Sequence, residues 1–342
     1  MDLLKEIREK IKSSAGSIGA AGLDSVLAHI EIAERHYLRA KTDRDEPLYT
    51  DVIYRTNHAY EGILKEAYVL LADKPSAKMT PNDIESYLLS SDTLKGRVVD
   101  LLKNYRQQWR NPSTHDHQLF FSEQEAFLAI VSVSAFVSIL LDQILERAAY
   151  NKKFDDLNDA AVLARDRIKD FEKRSPISKA ETILQSYASH YVRNFSEMSA
   201  YSRATANAQM AAFIKKVAPE LDVGFDVQKS IQGKSLRFDL ILTDGGEEVA
   251  IETRGPKPRD HNEAWFEEEA LVAEFSKRMI FSHISNGILF FYPGHDDDII
   301  IITTGSSAWP RNLNLREVYG ADPSSFQDEA LETPISLIDE EA

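Results

Sequence analysis

The chain contains no cysteine. That absence excludes disulfide staples, Cys-ligated zinc and a cysteine nucleophile, and it fits a reducing cytoplasm. Glycine and proline number only 14 and 12 in 342 residues, which excludes collagen-like repeats and Gly/Pro-rich disorder. Positive charge is in deficit: 40 basic against 55 acidic side chains leave a net charge of -15. That balance argues against a protein that coats nucleic acid nonspecifically, because phosphate neutralisation needs Lys and Arg at the contact surface, and it leaves a local basic cleft open. Residues 1–14 lack the apolar centre of a signal peptide and read as a charged amphipathic helix with Leu3, Leu4, Ile7 and Ile11 on one side. The one uncharged stretch that resembles a membrane span, residues 126–141, is shorter than the ~20 residues needed and carries Ser132, Ser134 and Ser138. It is expected as a buried or dimer-facing helix, with no membrane partner and a cytoplasmic location.

What is present is ordinary globular material, 43% hydrophobic and 9% aromatic, long enough for two domains. Residues 1 to about 174 read as helical throughout. Tyr60, Ile63, Leu64, Ala67, Tyr68 and Leu71 follow the spacing of one apolar helix face, with Glu61 and Lys65 expected to pair on the other. Thr80-Pro81-Asn82-Asp83 supplies a cap, an N1 proline and a first-turn acid. A helix over 94–108 is expected to break at Asn111-Pro112-Ser113, and Ser122-Glu123-Gln124-Glu125 has the capping-box pattern that opens the apolar helix over 123–147.

Arg174-Ser175-Pro176 marks the expected domain boundary. Beyond it, helical text over 180–216 gives way to short apolar runs at 223–227, 236–242 and 248–253, then a helix over 265–281 and two more buried strands at 287–292 and 299–303. Helix, three strands, helix and one or two strands make a compact α/β domain. Residues 323–342 hold six acids and no Lys or Arg, and are expected as a solvated acidic C-terminal tail.

In the helical half, Arg110-Asn111-Pro112-Ser113-Thr114-His115 sets an Arg and a His beside the expected helix break. The pair suits RNA cleavage without a metal. A His can move the proton of the ribose hydroxyl, and an Arg can hold the phosphorane oxygens through its fork. Only RNA offers that internal 2′-hydroxyl. Arg254 to His261 and Arg278 to His283 have similar spacing. The context of Arg110 differs: a polar residue follows it at once, the setting is all-α, and a long apolar helix comes next. On these residues, over about 20–147, the segment resembles the HEPN superfamily, with its Arg-(polar)-x3-His signature. The resemblance implies an α-helical bundle, a homodimer that joins two signatures into one ribonuclease site, catalytic Arg110 and His115, a supporting Asn111, and no cofactor. His117 is expected to be a bystander, and Arg55, Asn57 and His58 a solvated helix start.

In the second half, Asp239 lies in the run Leu236 to Leu242, and Glu252 and Arg254 alternate with Thr253 in the next run, so that Glu252 and Arg254 share a face. Asp244-Gly245-Gly246 is hairpin chemistry that brings Asp239 toward Glu252. Two such carboxylates can hold Mg2+ and activate a water against phosphate, with a cation nearby to steady the transition state. The order of elements over about 180–305 looks like the PD-(D/E)xK restriction-endonuclease-like fold. That resemblance implies metal ligands Asp239 and Glu252 with Mg2+ as cofactor. Arg254 stands where the family usually carries Lys, and Arg cannot readily move protons. Lys257 and Lys234 are the candidate substitutes.

The expected fold class is therefore α + α/β: an all-α HEPN-like bundle over 1–174, a restriction-endonuclease-like α/β domain over 175–322, and the tail over 323–342. The expected function is a nuclease effector with RNA or DNA as partner, dimeric through the helical half. The resemblance adds a role in antiviral defence with an antitoxin or defence partner. Two alternatives stand beside the metal-independent ribonuclease: a Mg2+-dependent DNA endonuclease with the helical half as dimeriser, and a non-catalytic nucleic-acid or partner sensor.

Overall fold

A computed structural model describes residues 3–14, 20–91, 93–115, 119–157, 165, 170–199, 201–255, 261–294, 298–303 and 313–321, with the backbone alone at 13–14, 20–21, 114–115, 261–269, 298–303 and 319–321. The chain divides into two compact units, Met1–Ala149 and Tyr150–Ala342.

The first unit is helical over its described residues: α1 (Leu3–Ser14), α2 (Ala20–Asp43), α3 (Pro47–Ala72), α4 (Pro81–Ser90), α5 (Gly96–Tyr105), a π-helical turn (Arg106–Arg110), α6 (Asn111–His115) and most of α7 (Glu123–Asp156). The apolar spacing of α3 does what its period requires, since Tyr60, Ile63, Leu64, Ala67 and Tyr68 are all buried. Tyr60 is the hub, stacked on Tyr105 with ring centroids 4.7 Å apart and tilted against Phe136 of α7 at 5.3 Å. Gly62 lets α2 approach α3, because a Cβ there would lie 2.9 Å from the Val26 methyl. Both expected caps form. Thr80 and Asp83 exchange hydrogen bonds at the start of α4, and Ser122 and Glu125 at the start of α7. By length and composition α7 could cross a membrane, but Ala126, Ala129, Val133, Phe136, Val137, Leu140 and Leu141 are buried in this unit's core.

The second unit is a six-stranded mixed sheet between helices: α8 (Pro176–Arg193), α9 (Phe195–Met198), α10 (Arg203–Val217), β1 (Asp222–Ile231), β2 (Lys234–Asp244), β3 (Glu247–Arg254), α11 (His261–Phe281), β4 (Asn286–Phe291), β5 (Asp298–Thr303) and β6 (Asn314–Ala321). Sheet order is β1-β2-β3-β4-β6-β5. β1, β2 and β3 form an antiparallel meander; β3 pairs parallel to β4, β4 parallel to β6, and β5 antiparallel to β6. The two-residue turn between β2 and β3 puts Gly245 at φ +57 and Gly246 at φ +93, which side chains resist and glycine accepts. Leu240, Leu242, Val249, Ile251, Ile288 and Phe290 face α8 and α10, whereas Phe238, Ile241, Ala250, Leu289 and Phe291 face Val272, Phe275 and Met279 of α11. Both faces are covered, as an α/β architecture demands.

Four expectations change here. The units separate at Ala149/Tyr150, not at Arg174, because Tyr150 stacks on Phe225 of β1 (5.7 Å) and Leu157 and Phe171 are buried in the α8–α10 core. The helical text over 180–216 is three helices, since Asn194 and Ser202 each open a new one. β6 went unseen, although it lies between β4 and β5. Arg316 and Glu317 break its apolar pattern, yet Glu317 is buried and Arg316 is ion-paired with Glu181. Glu61 does not pair with Lys65 but lies 3.6 Å from Arg110. The tail over 323–342 lies outside the described residues.

One half-buried base gives this fold a pH signature. His190 of α8 packs on the Phe213 ring, centroids 5.7 Å apart. Burial, with the charges of Lys153 and Arg193, pushes its pKa down to about 4 against the partial opposition of Glu197. The unfolded chain takes up this proton near pH 6.5, the folded chain only near 4, so the contribution is whole above 6.5 and is lost as pH falls through that window. In thermal scans a His190→Gln variant should lose less unfolding temperature than the parent between those two pH values. Parallel curves would show that His190 titrates normally.

Candidate functional site

Two clusters gather the sequence-derived candidates. In the helical unit, α5 does not break at Asn111. It widens into the π turn, closed by the Asn111 N–H to the Arg106 carbonyl, and continues as α6. Pro112 explains the widening, because a proline ring in a regular helix collides with the carbonyl four residues back and has no N–H to donate. The insertion turns Arg110 and Asn111 so that the guanidinium donates to Asn111 Oδ1 (3.2 Å) while its Nε stands 3.6 Å from Glu61 Oε1.

Beneath this turn is a buried polar network. Asn57 donates to Ser113 Oγ (2.7 Å), Ser113 donates to the Arg110 carbonyl (3.0 Å), and Tyr105 donates to Asn57 Oδ1 (3.1 Å). Asn57 is therefore not part of a solvated helix start. It sits in mid-α3, buried, and ties the signature backbone to the core. A second network flanks it: Tyr60 donates to Glu85 Oε1 (3.0 Å), Arg106 donates to Glu85 Oε2 (3.2 Å), and Glu85 is buried. His58, also expected at a solvated start, stacks on His29 with centroids 5.1 Å apart. His115 ends α6, with its side chain outside the described residues, as is the whole of His117.

In the α/β unit, Asp239, Glu252 and Arg254 do converge. The β2–β3 ladder runs only from Asp244↔Glu247 to Leu240↔Ile251, after which β3 continues beside β4 alone. The Thr253 N–H thus loses its neighbour strand, and Asp239 Oδ2 accepts it (2.8 Å) together with the Thr253 hydroxyl (2.9 Å). Thr253 Oγ1, whose single proton is shared with Asp239, also lies 2.8 Å from Asn207 Oδ1, which accepts from the Tyr292 hydroxyl (2.9 Å). On the opposite face, Glu252 Oε1 meets Arg254 Nη1 at 2.6 Å and Oε2 meets Arg278 Nη2 of α11 at 3.1 Å. Arg254 and Arg203 both donate to the Thr253 carbonyl, at 2.8 and 3.2 Å.

Sequence reasoning missed Arg278, Arg203 and Asn207. The only signal for Arg278 was its spacing to His283, which pointed to a different chemistry; no local pattern reports that α11 returns a guanidinium to Glu252. Of the substitute lysines, Lys234 lies over the Phe281 ring (4.9 Å), and Lys257 is outside the described residues.

The donor set does not fit a resident Mg2+. That ion wants near-octahedral oxygen ligands and nearby negative charge. Here one Asp239 oxygen already accepts two hydrogen bonds, and each Glu252 oxygen faces a guanidinium, so the two acids are balanced by two arginines. No group of three or more His, Asp or Glu suited to a metal occurs among the described residues.

No protein-family model matches the chain, no curated protein matches it, and no solved structure matches it.

The Asn57 network yields a stability test. Asn57→Ala leaves the Tyr105 and Ser113 hydroxyls without their buried partner and should cost about 1–3 kcal/mol in denaturant unfolding. A loss within error of zero would mean that the network is not holding the turn.

Proposed function

We propose that this chain is a nuclease effector whose helical unit cuts RNA without a metal, joined to an α/β unit that binds nucleic acid. The observation that carries the first part is the buried Asn57–Ser113–Arg110 linkage beneath the π turn. A helix end needing only caps has no use for a widened turn anchored from a neighbouring helix. A phosphate-binding Arg does, because catalysis by charge stabilisation depends on donors fixed before the charge develops.

In this reading Arg110 holds the non-bridging oxygens of the scissile phosphate, steadied by Asn111 and Glu61. His115 takes the proton of the 2′-hydroxyl. The 2′-oxygen then bonds to phosphorus and the 5′-oxygen departs with a proton, leaving a 2′,3′-cyclic phosphate and a 5′-hydroxyl. Resemblance to the HEPN superfamily supports a homodimer in which two signatures share one site, a cytoplasmic location and a role in antiviral defence beside an inhibitory or activating partner. The α/β unit's order of helix, antiparallel meander, helix and parallel strand, with Asp239 on β2 and Glu252 on β3, supports the restriction-endonuclease-like reading. The two arginines on Glu252 favour binding over cleavage there.

The purified chain should cut mixed RNA in EDTA, leaving cyclic phosphate ends. His115→Ala and Arg110→Ala should each lower the rate about 10²-fold or more with unchanged circular dichroism. Undiminished cleavage by the His115 variant, or cleavage that needs Mg2+ and disappears in Asp239→Asn, would overturn the assignment.

A further inference from the structure

Among the described residues, the acidic pair of the α/β unit is unusual for the charge set against it. Glu252 is buried, 4% exposed, yet each of its oxygens faces an arginine from a different element: Arg254 at the end of β3 and Arg278 near the end of α11. Asp239 is committed to the Thr253 N–H and hydroxyl, and Arg254 Nη1 is 3.8 Å from it. A carboxylate gripped by two guanidiniums presents oxygens to them much as a phosphodiester would, since both anions suit the planar fork of Arg.

The two arginines are held ready. Arg254 is anchored through the Thr253 carbonyl. Arg278 is braced by the Arg237 carbonyl (2.5 Å) and lies 5.7 Å from the centroids of both Phe238 and Phe275, which strip water from its flanks. Its buried Nε–H has no acceptor, and Glu252 Oε2 receives no hydrogen bond of good geometry, so the Arg278–Glu252 pair leaves bonding capacity unused. The two side chains keep partial access to solvent, with exposures of 30% for Arg254 and 16% for Arg278.

We propose that Arg254 and Arg278 form a phosphate clamp that holds a nucleic-acid backbone without a divalent cation, with Glu252 as the internal occupant that the phosphate displaces. The inference rests on the reading of the α/β unit as a nucleic-acid-binding unit, and replaces a metal centre there with an exchange of anions. Glu252 sets the affinity. It keeps the clamp charge-balanced when empty, and its grip on the arginines must be broken for a phosphate to enter.

The test is binding of a labelled duplex DNA and of a labelled single-stranded RNA of equal length to the full chain carrying His115→Ala, in EDTA and in Mg2+, over a salt series. One or both oligonucleotides should bind equally well in the two conditions, and the comparison identifies the source of the phosphate. Arg254→Ala and Arg278→Ala should each weaken binding about tenfold and make the log-log salt slope shallower by about one, which a merely structural lesion would not do. Glu252→Gln, close in shape and unable to carry the charge, should tighten binding severalfold.

Binding unaffected by both arginine variants would overturn the clamp and leave nucleic-acid binding to another surface. Binding that needs Mg2+ and is lost in Glu252→Gln would overturn it in favour of a metal centre. An absence of binding under every condition would overturn the clamp and the nucleic-acid reading together. Circular dichroism and thermal unfolding of each variant separate these results from misfolding.

Discussion

The hydrogen bond from the Thr253 N–H to Asp239 Oδ2 is the constraint on which the α/β site depends. β2 stays with β1 along its length, while β3 must follow β4, so the two strands part beyond Leu240↔Ile251. A buried N–H cannot be left unpaired at such a fork without a penalty of about 1–3 kcal/mol. Asp239 closes the fork with its side chain, and Thr253, at 0% exposure, is locked. The alternation of the strand then leaves no choice for its neighbours. With Thr253 turned toward Asn207 and Tyr292, Glu252 and Arg254 must turn the other way, toward α11 and Arg278.

The helical unit solves a similar problem by other means. Pro112 cannot continue a regular helix, and the chain responds by widening one turn, not by stopping. A π turn is less favourable than an α turn and persists only when its surroundings hold it. Asn57, Tyr105 and Ser113 supply that support from α3, α5 and α6, and the Glu85 network with Tyr60 and Arg106 fixes the turn's first residue. In both units a break in the regular ladder is stabilised by a buried polar side chain, and the candidate functional residues lie directly beside it.

How far the sequence foretold this depends on the range of the interaction. The apolar face of α3, the two capping boxes, the glycine turn and five of six strands are local or periodic, and each was legible. The face shared by Glu252 and Arg254 followed from strand alternation, and the approach of Asp239 from the turn chemistry. β6 was hidden because Arg316 and the buried Glu317 interrupt its apolar pattern, and the partner of Arg316, Glu181 on α8, is far away in sequence. Arg278 was hidden for the same reason. The π turn was read as a break because Pro112 is visible in the sequence, whereas Asn57 gives no sign that it will reach across to rescue the helix.

Charge is what joins the two halves of the functional argument. A chain of net charge -15 repels a polyanion at long range, so any nucleic-acid contact must come from a few well-placed cations, not from a basic surface. The arginines found at the sites fit that requirement in a particular way: Arg110 stands by Glu61, and Arg254 and Arg278 stand by Glu252. Each is paired with a carboxylate, and each is fixed by a backbone or side-chain oxygen as well. Such pairing makes contact with a phosphate an exchange of one anion for another, which weakens indiscriminate binding but preserves the geometry for a backbone that fits. Under the proposed nucleic-acid reading, selectivity rests on displacing the protein's own acids, a cost that nonspecific encounters do not repay.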